Sequence, residues 1–319
     1  MTETRELTIY ALEGLVAGGD IKGETLRCLN LETGKITNIP ETQARQDTSW
    51  DMAFKRSVIY LNSGPAGPGD VQGALIDPPV DVSREDFVKI TADDLKRKFD
   101  SVTTVPPGAQ FRGEDVEPAI FDWRVLKDGR YTHNSVKGWK LRLADGARYA
   151  KMRMKRLEAD CKAITIQYAY QPGKDAPLDE ERMATINPGE CFNFKTGSIA
   201  PESGMEWDIK HDGSRLLINS SVSGPGRAGA LGSNKYGATW KNVENPSDSI
   251  AYFMDEFGAV FRNPKWYRYN IDGKHNLHPN GAVYAIKTLA GVYKLQVYEY
   301  FEHKGSDLGN FRIRYARLA

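Results

Sequence analysis

The 319-residue chain has only 3 cysteines, an odd number that excludes a closed disulfide framework. It has no apolar run of the roughly 18 residues that a membrane-crossing helix needs. The first residues, Met1-Thr-Glu-Thr-Arg-Glu, lack a basic start followed by an apolar stretch, so no secretory leader is read in them. Charge of one sign is also missing. With 43 Lys and Arg against 42 Asp and Glu, the chain as a whole has no attraction for nucleic acid or an anionic surface. Hydrophobic content of 40% and charged content of 27% fit a globular chain, and at roughly 150 residues per domain the length suggests two domains.

One pattern occurs twice. Trp50-Asp51 leads through the apolar Val58-Ile-Tyr-Leu61 to Asn62, and Trp207-Asp208 leads through Leu216-Leu-Ile218 to Asn219. Asn follows Trp by 12 residues in both places, and a Gly-Pro-Gly triplet follows Asn by 5, at Gly67 and at Gly224. Cys28-Leu-Asn-Leu-Glu-Thr-Gly34 matches Cys191-Phe-Asn-Phe-Lys-Thr-Gly197 in the same way. Such a fixed offset points to an internal duplication. Cysteines at equivalent places are expected to be small buried hydrophobes. Asp51 and Asp208, each after a Trp, are expected to serve one repeated local role.

Period-2 alternation and turn signals dominate the chain. Residues 6–12 read as an opening strand. Asp128-Gly129 and Asp145-Gly146 read as hairpin bends, and Gly291 takes the second bend's place later on. In Lys151-Met-Arg-Met-Lys155 the charges alternate with Met, as in a strand with one wet face. Helical inserts are predicted at Ser83–Phe99, with Thr91-Ala-Asp-Asp94 as a capping box, and at Asp248–Phe257. The expectation is an all-β, mostly antiparallel fold with short helical inserts. It would be built as tandem modules over 1–170 and 182–319, joined by a Pro- and Gly-bearing linker at 171–181.

With that order laid out, the chain resembles the HmuY-like haem-binding proteins of Gram-negative bacteria. The likeness rests on Leu31-x-Thr-Gly-x-Ile36, Trp50-Asp-x-Ala-Phe-x-Arg56, Trp266-Tyr-x-Tyr-Asn270, Tyr284-x-Ile-Lys-Thr-x-x-Gly-x-Tyr-Lys-Leu295 and Phe311-x-Ile-x-Tyr315. The resemblance implies an exported, extracytoplasmic hemophore, a lipoprotein at the outer-membrane surface or a secreted protein. It would take part in iron acquisition by holding haem in a loop-lined cleft through axial His or Met side chains, then pass it to an outer-membrane receptor. It implies no catalysis.

Of the 5 histidines, His133, His275 and His278 lie in equivalent interstrand loops, where imidazole can reach haem iron. His275 and His278 are the leading iron ligands, with His133 and Met254 as further cofactor-binding candidates. The partner ligand stays open among Met52, Met152 and Met154 in the first module and Met254, His211, His303 or the other of His275 and His278 in the second. His275-x-x-His278 does not carry a zinc pattern, because Pro279 and Gly281 make it a loop and no Glu follows as in His-Glu-x-x-His. The alternative is a structural or interaction subunit of an envelope complex that kept the fold and lost the haem site.

Overall fold

The computed structural model describes residues 3–11, 25–158, 162–249, 251–302 and 308–318. From the N-terminus come β1 (Arg5–Tyr10), β2 (Thr25–Leu29), β3 (Ile36–Pro40), α1 (Glu41–Ala44), β4 (Met52–Lys55), β5 (Val58–Leu61), β6 (Gln72–Asp77), α2 (Arg84–Phe87) and α3 (Ala92–Ser101). The middle of the chain forms β7 (Val116–Glu117), β8 (Arg124–Lys127), β9 (Arg130–His133), β10 (Gly138–Arg142), β11 (Tyr149–Leu157) and β12 (Ile164–Gln171). It continues with β13 (Arg182–Ile186), β14 (Cys191–Asn193), β15 (Ser198–Ala200), β16 (Ile209–His211), β17 (Leu216–Ile218), β18 (Gly229–Ser233) and α4 (Asn234–Ala238). The last part supplies β19 (Glu256–Phe257), α5 (Ala259–Arg262), β20 (Tyr267–Tyr269), β21 (Leu277–Pro279), β22 (Val283–Thr288), β23 (Gly291–Glu302) and β24 (Leu308–Arg317). The fold is mostly antiparallel β with short helices.

Two compact units result. Unit 1 is Met1–Asp115 with Phe257–Ala319, and unit 2 is Val116–Glu256. This departs from the contiguous blocks 1–170 and 182–319 read from the sequence. The physical reason lies in sheet completion. In unit 1 a five-stranded sheet runs β1-β24-β23-β22-β6, so three of its strands come from the far end of the chain. In unit 2 the matching sheet runs β13-β12-β11-β10-β18. Residues 171–181 therefore do not link two units; they connect β12 to β13, which pair from Ile164↔Ile186 to Tyr168↔Arg182. Each unit also has a four-stranded sheet, β3-β2-β4-β5 in one and β15-β14-β16-β17 in the other, and a separate hairpin, β20-β21 and β8-β9.

Each unit has its own apolar core. In unit 1 Phe54, Leu61, Trp266, Tyr284, Leu295 and Phe311 are buried together. In unit 2 the same is true of Trp139, Met152, Met154, Tyr168, Phe192 and Ile218. Cys28 and Cys191 are buried free thiols, and burial pushes them up to about 12 and about 11, so both behave as small apolar residues. Cys161 lies outside the described residues.

The helices follow their caps. The Thr91 side chain accepts from the Asp94 N–H at 3.2 Å, and Asp94 accepts from the Thr91 N–H at 2.9 Å, completing the expected capping box. One turn apart, Leu95 and Phe99 are the buried face of α3. The stretch 248–257 is not helical in its described residues. Phe253 bridges to Ala230 instead, and the unit 2 helix is α4, capped by Ser233. The face of β11 expected to be wet is wet only at Lys155 and is covered at Lys151. Lys151 is buried, donates to the Trp240 carbonyl at 3.1 Å and sits 4.4 Å over the Trp240 ring. Lys294 of β23 does the same in unit 1, donating at 2.8 Å to the carbonyls of Phe99 and Val102, where α3 ends.

Candidate functional site

The repeated Trp-Asp-to-Gly pattern is a closed hydrogen-bonding unit. The Asn62 amide donates to the carbonyls of Trp50 (2.7 Å) and Asp47 (2.9 Å), and its oxygen accepts from the Gly69 N–H at 3.0 Å. Asn219 repeats this with Trp207 (2.8 Å), Gly204 (3.0 Å) and Gly226 (2.9 Å). A Cβ on Gly67 or Gly224 would stand 2.1 or 2.3 Å from the Asn oxygen, so close approach demands glycine there. Asp51 accepts from the Leu31 N–H at 2.7 Å, and Asp208 accepts from those of Phe194 and Ala144 at 2.9 Å. Burial raises both carboxyls. These Asn and Asp side chains are spent on the fold, while the buried Ser220 hydroxyl beside Asn219 has no hydrogen-bond partner among the described residues.

Two buried carboxylates with no sequence signal support the same places. Glu114 accepts from the N–H groups of Leu61 (2.8 Å), Gly258 (2.7 Å) and Ala259 (2.8 Å). Asp255 accepts from Ala119 (2.8 Å), Ile218 (2.9 Å) and the Ser223 hydroxyl (2.6 Å). Burial outweighs those hydrogen bonds and pushes Asp255 up to about 6. Both work as backbone anchors.

Unit 1 has a cleft of about 650 Å³. One wall is the helical insert, with Phe87, Ile90 and Leu95; the other is the β20-β21 turn and strand β23, with His278, Tyr300 and Phe301. The turn is tightly specified. Asn270 and His275 take positive φ angles of 56° and 63°, and Asn270 accepts from the His275 N–H at 2.9 Å. Asp272 accepts from the Lys274 N–H (3.0 Å) and the Asn276 amide (2.7 Å) and lies 3.4 Å from His278 Nε2. The Lys274 N–H, then the Asn276 amide, hold its carboxyl down at about 2, with a smaller contribution from His278. Arg268, opposite His278 in the hairpin, ties it to the insert by donating to the carbonyls of Val80 (2.6 Å) and Val82 (2.9 Å). Its guanidinium sits 4.4 Å over the Phe87 ring.

The sequence candidates separate. His278 is half-buried and lines the cleft. His275 is exposed and is not among the lining residues; its Nδ1 is 2.7 Å from the Tyr269 hydroxyl. The positive φ at His275 sends the chain back on itself, which is why residues three apart face different surroundings. His133 ends β9 opposite Arg124, and Met254 is half-buried; both belong to unit 2, not to the unit that carries the cleft. His211 is a core residue, edge-on to Trp123 at 5.8 Å, with its pKa lowered by burial. Met52, Met152 and Met154 are core residues, and His303 lies outside the described residues.

The cleft fits part of what haem requires. Its walls are aromatic and aliphatic, one imidazole borders it, and its volume suits a cofactor-sized molecule. Its charged lining residues are the acids Asp272 and Glu299, and Arg312 neutralises Glu299 at 2.8 Å. The lining residues thus include no cationic side chain that could pair with a haem propionate. Among the described residues, no three or more His, Cys, Asp or Glu side chains gather to hold a metal ion. No described helix is long and apolar enough to cross a membrane. No protein-family model matches the chain, and no curated protein matches it.

Proposed function

We propose that the chain is a non-catalytic carrier that holds haem in the unit 1 cleft, with His278 as the protein's ligand to iron. The observation that carries this reading is His278 on the wall of an aromatic cleft of about 650 Å³, with Asp272 beside its Nε2. A carboxylate beside a ligating imidazole helps to fix the ring's orientation. Bound haem would supply the iron centre; this chain's residues bind it, orient it and shield it from water. On the same reading the protein is a HmuY-like hemophore of tandem origin, acts outside the cytoplasm and delivers haem to a receptor at the outer membrane.

The test is a hemin titration followed in the Soret region. Saturable one-to-one binding that is lost in His278→Ala supports the carrier. Absence of any saturable change, or equal binding by wild type and His278→Ala, overturns it. The second reading, an interaction subunit without haem, is favoured by one observation: His275 is engaged by Tyr269 and does not line the cleft beside His278.

A further inference from the structure

Although β9 packs on β11, no helix among the described residues covers the β8-β9 hairpin of unit 2 as the insert covers its counterpart in unit 1. There the β20-β21 hairpin is bound to the 80–87 segment through Arg268. In unit 2, α4 packs on β10 and β18 instead. Every residue from Val125 to Thr132 is exposed. That set includes three large apolar side chains: Val125 at 41%, Leu126 at 64% and Tyr131 at 52%.

The register makes the pattern specific. Leu126 stands opposite Tyr131 on one face, and Val125 stands opposite Thr132 on the other. Both faces thus present apolar surface, which a flat protein partner on one side would leave half wet. The tip is a tight turn, with Asp128 and Gly129 at φ 50° and 74°. Flanking it, Lys127 stands directly opposite Arg130. Like charges in a cross-strand pair destabilise a hairpin unless something anionic neutralises them. Across 124–133 three basic residues face one carboxylate, and Lys155 of the neighbouring strand β11 is exposed as well. Long basic side chains can bury their stems in an apolar layer while their charges stay at its polar surface.

We propose that the β8-β9 hairpin is a lipid-docking element, which immerses Val125, Leu126 and Tyr131 in the interface of an anionic bilayer while Lys127 and Arg130 meet its headgroups. Lipid encloses a projecting tip on all sides, as this two-faced pattern requires, and its charge relieves the Lys127–Arg130 pair. The proposal is independent of haem binding.

The experiment uses the full chain and sedimentation with vesicles of phosphatidylcholine alone or mixed with phosphatidylglycerol. Binding is expected to the anionic vesicles, to weaken with salt, and to fall by about tenfold or more in Lys127→Gln/Arg130→Gln, the order expected for two basic residues at an anionic surface. Leu126→Ser/Tyr131→Ser is expected to abolish it. Depth is read independently with Tyr131→Trp and brominated lipids, since the 6 native tryptophans are buried. Quenching of the new tryptophan supports insertion. Failure to bind anionic vesicles at low salt, or binding equal in the double variants and wild type, overturns the proposal. So does concentration-dependent dimerisation that Leu126→Ser abolishes without any vesicle binding.

Discussion

Glu114 places its carboxylate 2.8 Å from the N–H of Leu61, the residue just before the repeated Asn, and Asp255 does the same for Ile218 at 2.9 Å. Each carboxylate reaches the same point of a Trp-Asp-to-Asn unit from a distant part of the sequence. Their acceptor-only chemistry suits a site crowded with N–H donors. In Glu114→Gln an amide donor would face some of those donors. A loss of about 1–3 kcal/mol is expected for each buried donor left unsatisfied. Urea denaturation of wild type and variant checks it.

Asp255 also sets a pH dependence. Its folded pKa, about 6, is raised above its ordinary 3.8. Between those values the folded state binds the proton that the unfolded state releases, so this group's contribution to stability rises as pH falls from about 6 toward 4. In Asp255→Asn that increment disappears. Unfolding midpoints of both proteins at pH 7 and pH 4 test this. The gap between them is expected to widen at pH 4.

The Asn62 and Asn219 amides each serve two carbonyls and one N–H. Asn62→Asp keeps the acceptor and removes both donors. A destabilisation of about 2–4 kcal/mol is expected, with Asn219→Asp alike. Gly67→Ala is expected to be at least as harmful, because its Cβ meets the Asn62 oxygen at 2.1 Å. Thermal unfolding of the three variants measures it.

Lys294 joins strand β23 to the end of α3, the helix whose Leu95 lines the cleft. Lys294→Met removes charge-assisted hydrogen bonds worth roughly 1.5–3 kcal/mol. Faster amide hydrogen exchange is expected at 95–102 than in the strands of the five-stranded sheet. Weaker ligand binding is expected to accompany it.

The repeated unit was legible in the sequence because its bonds are local: Asn62 reaches back 12 residues to Trp50 and forward 7 to Gly69. The hairpins at Asp128-Gly129 and Asp145-Gly146 were legible for the same reason. Glu114 was not, since two of its partners, Gly258 and Ala259, lie 144 and 145 residues away. Nor was the division of the chain. β12 and β24 carry similar alternating patterns, so either could complete either sheet, and only the pairings β1-β24 and β13-β12 settle which does. The 248–257 helix failed because pairing of Phe253 with Ala230 and the anchoring role of Asp255 outweigh a weak local preference. At the cleft, His278 was expected in a loop but lies in strand β21, paired with Arg268. Its neighbour His275 shows that spacing alone does not say which ring faces the hollow.

Asp272→Asn keeps the side chain's size and removes the charge near His278, but it can keep only one of the two accepted bonds, because the Lys274 N–H and the Asn276 amide go to different carboxylate oxygens. Haem affinity is expected to fall by about 10–100-fold, the usual cost of losing a carboxylate behind a metal-bound imidazole. His275→Ala is expected to bind as wild type does. Parallel hemin titrations compare them.

The most direct measurement is the electron paramagnetic resonance spectrum of the ferric haem complex, recorded for wild type, His275→Ala and His278→Ala. One imidazole in the cleft predicts a high-spin signal that survives His275→Ala and is lost with His278→Ala. A low-spin bis-imidazole signal that collapses in His275→Ala, or a haem complex indifferent to His278, would contradict the account.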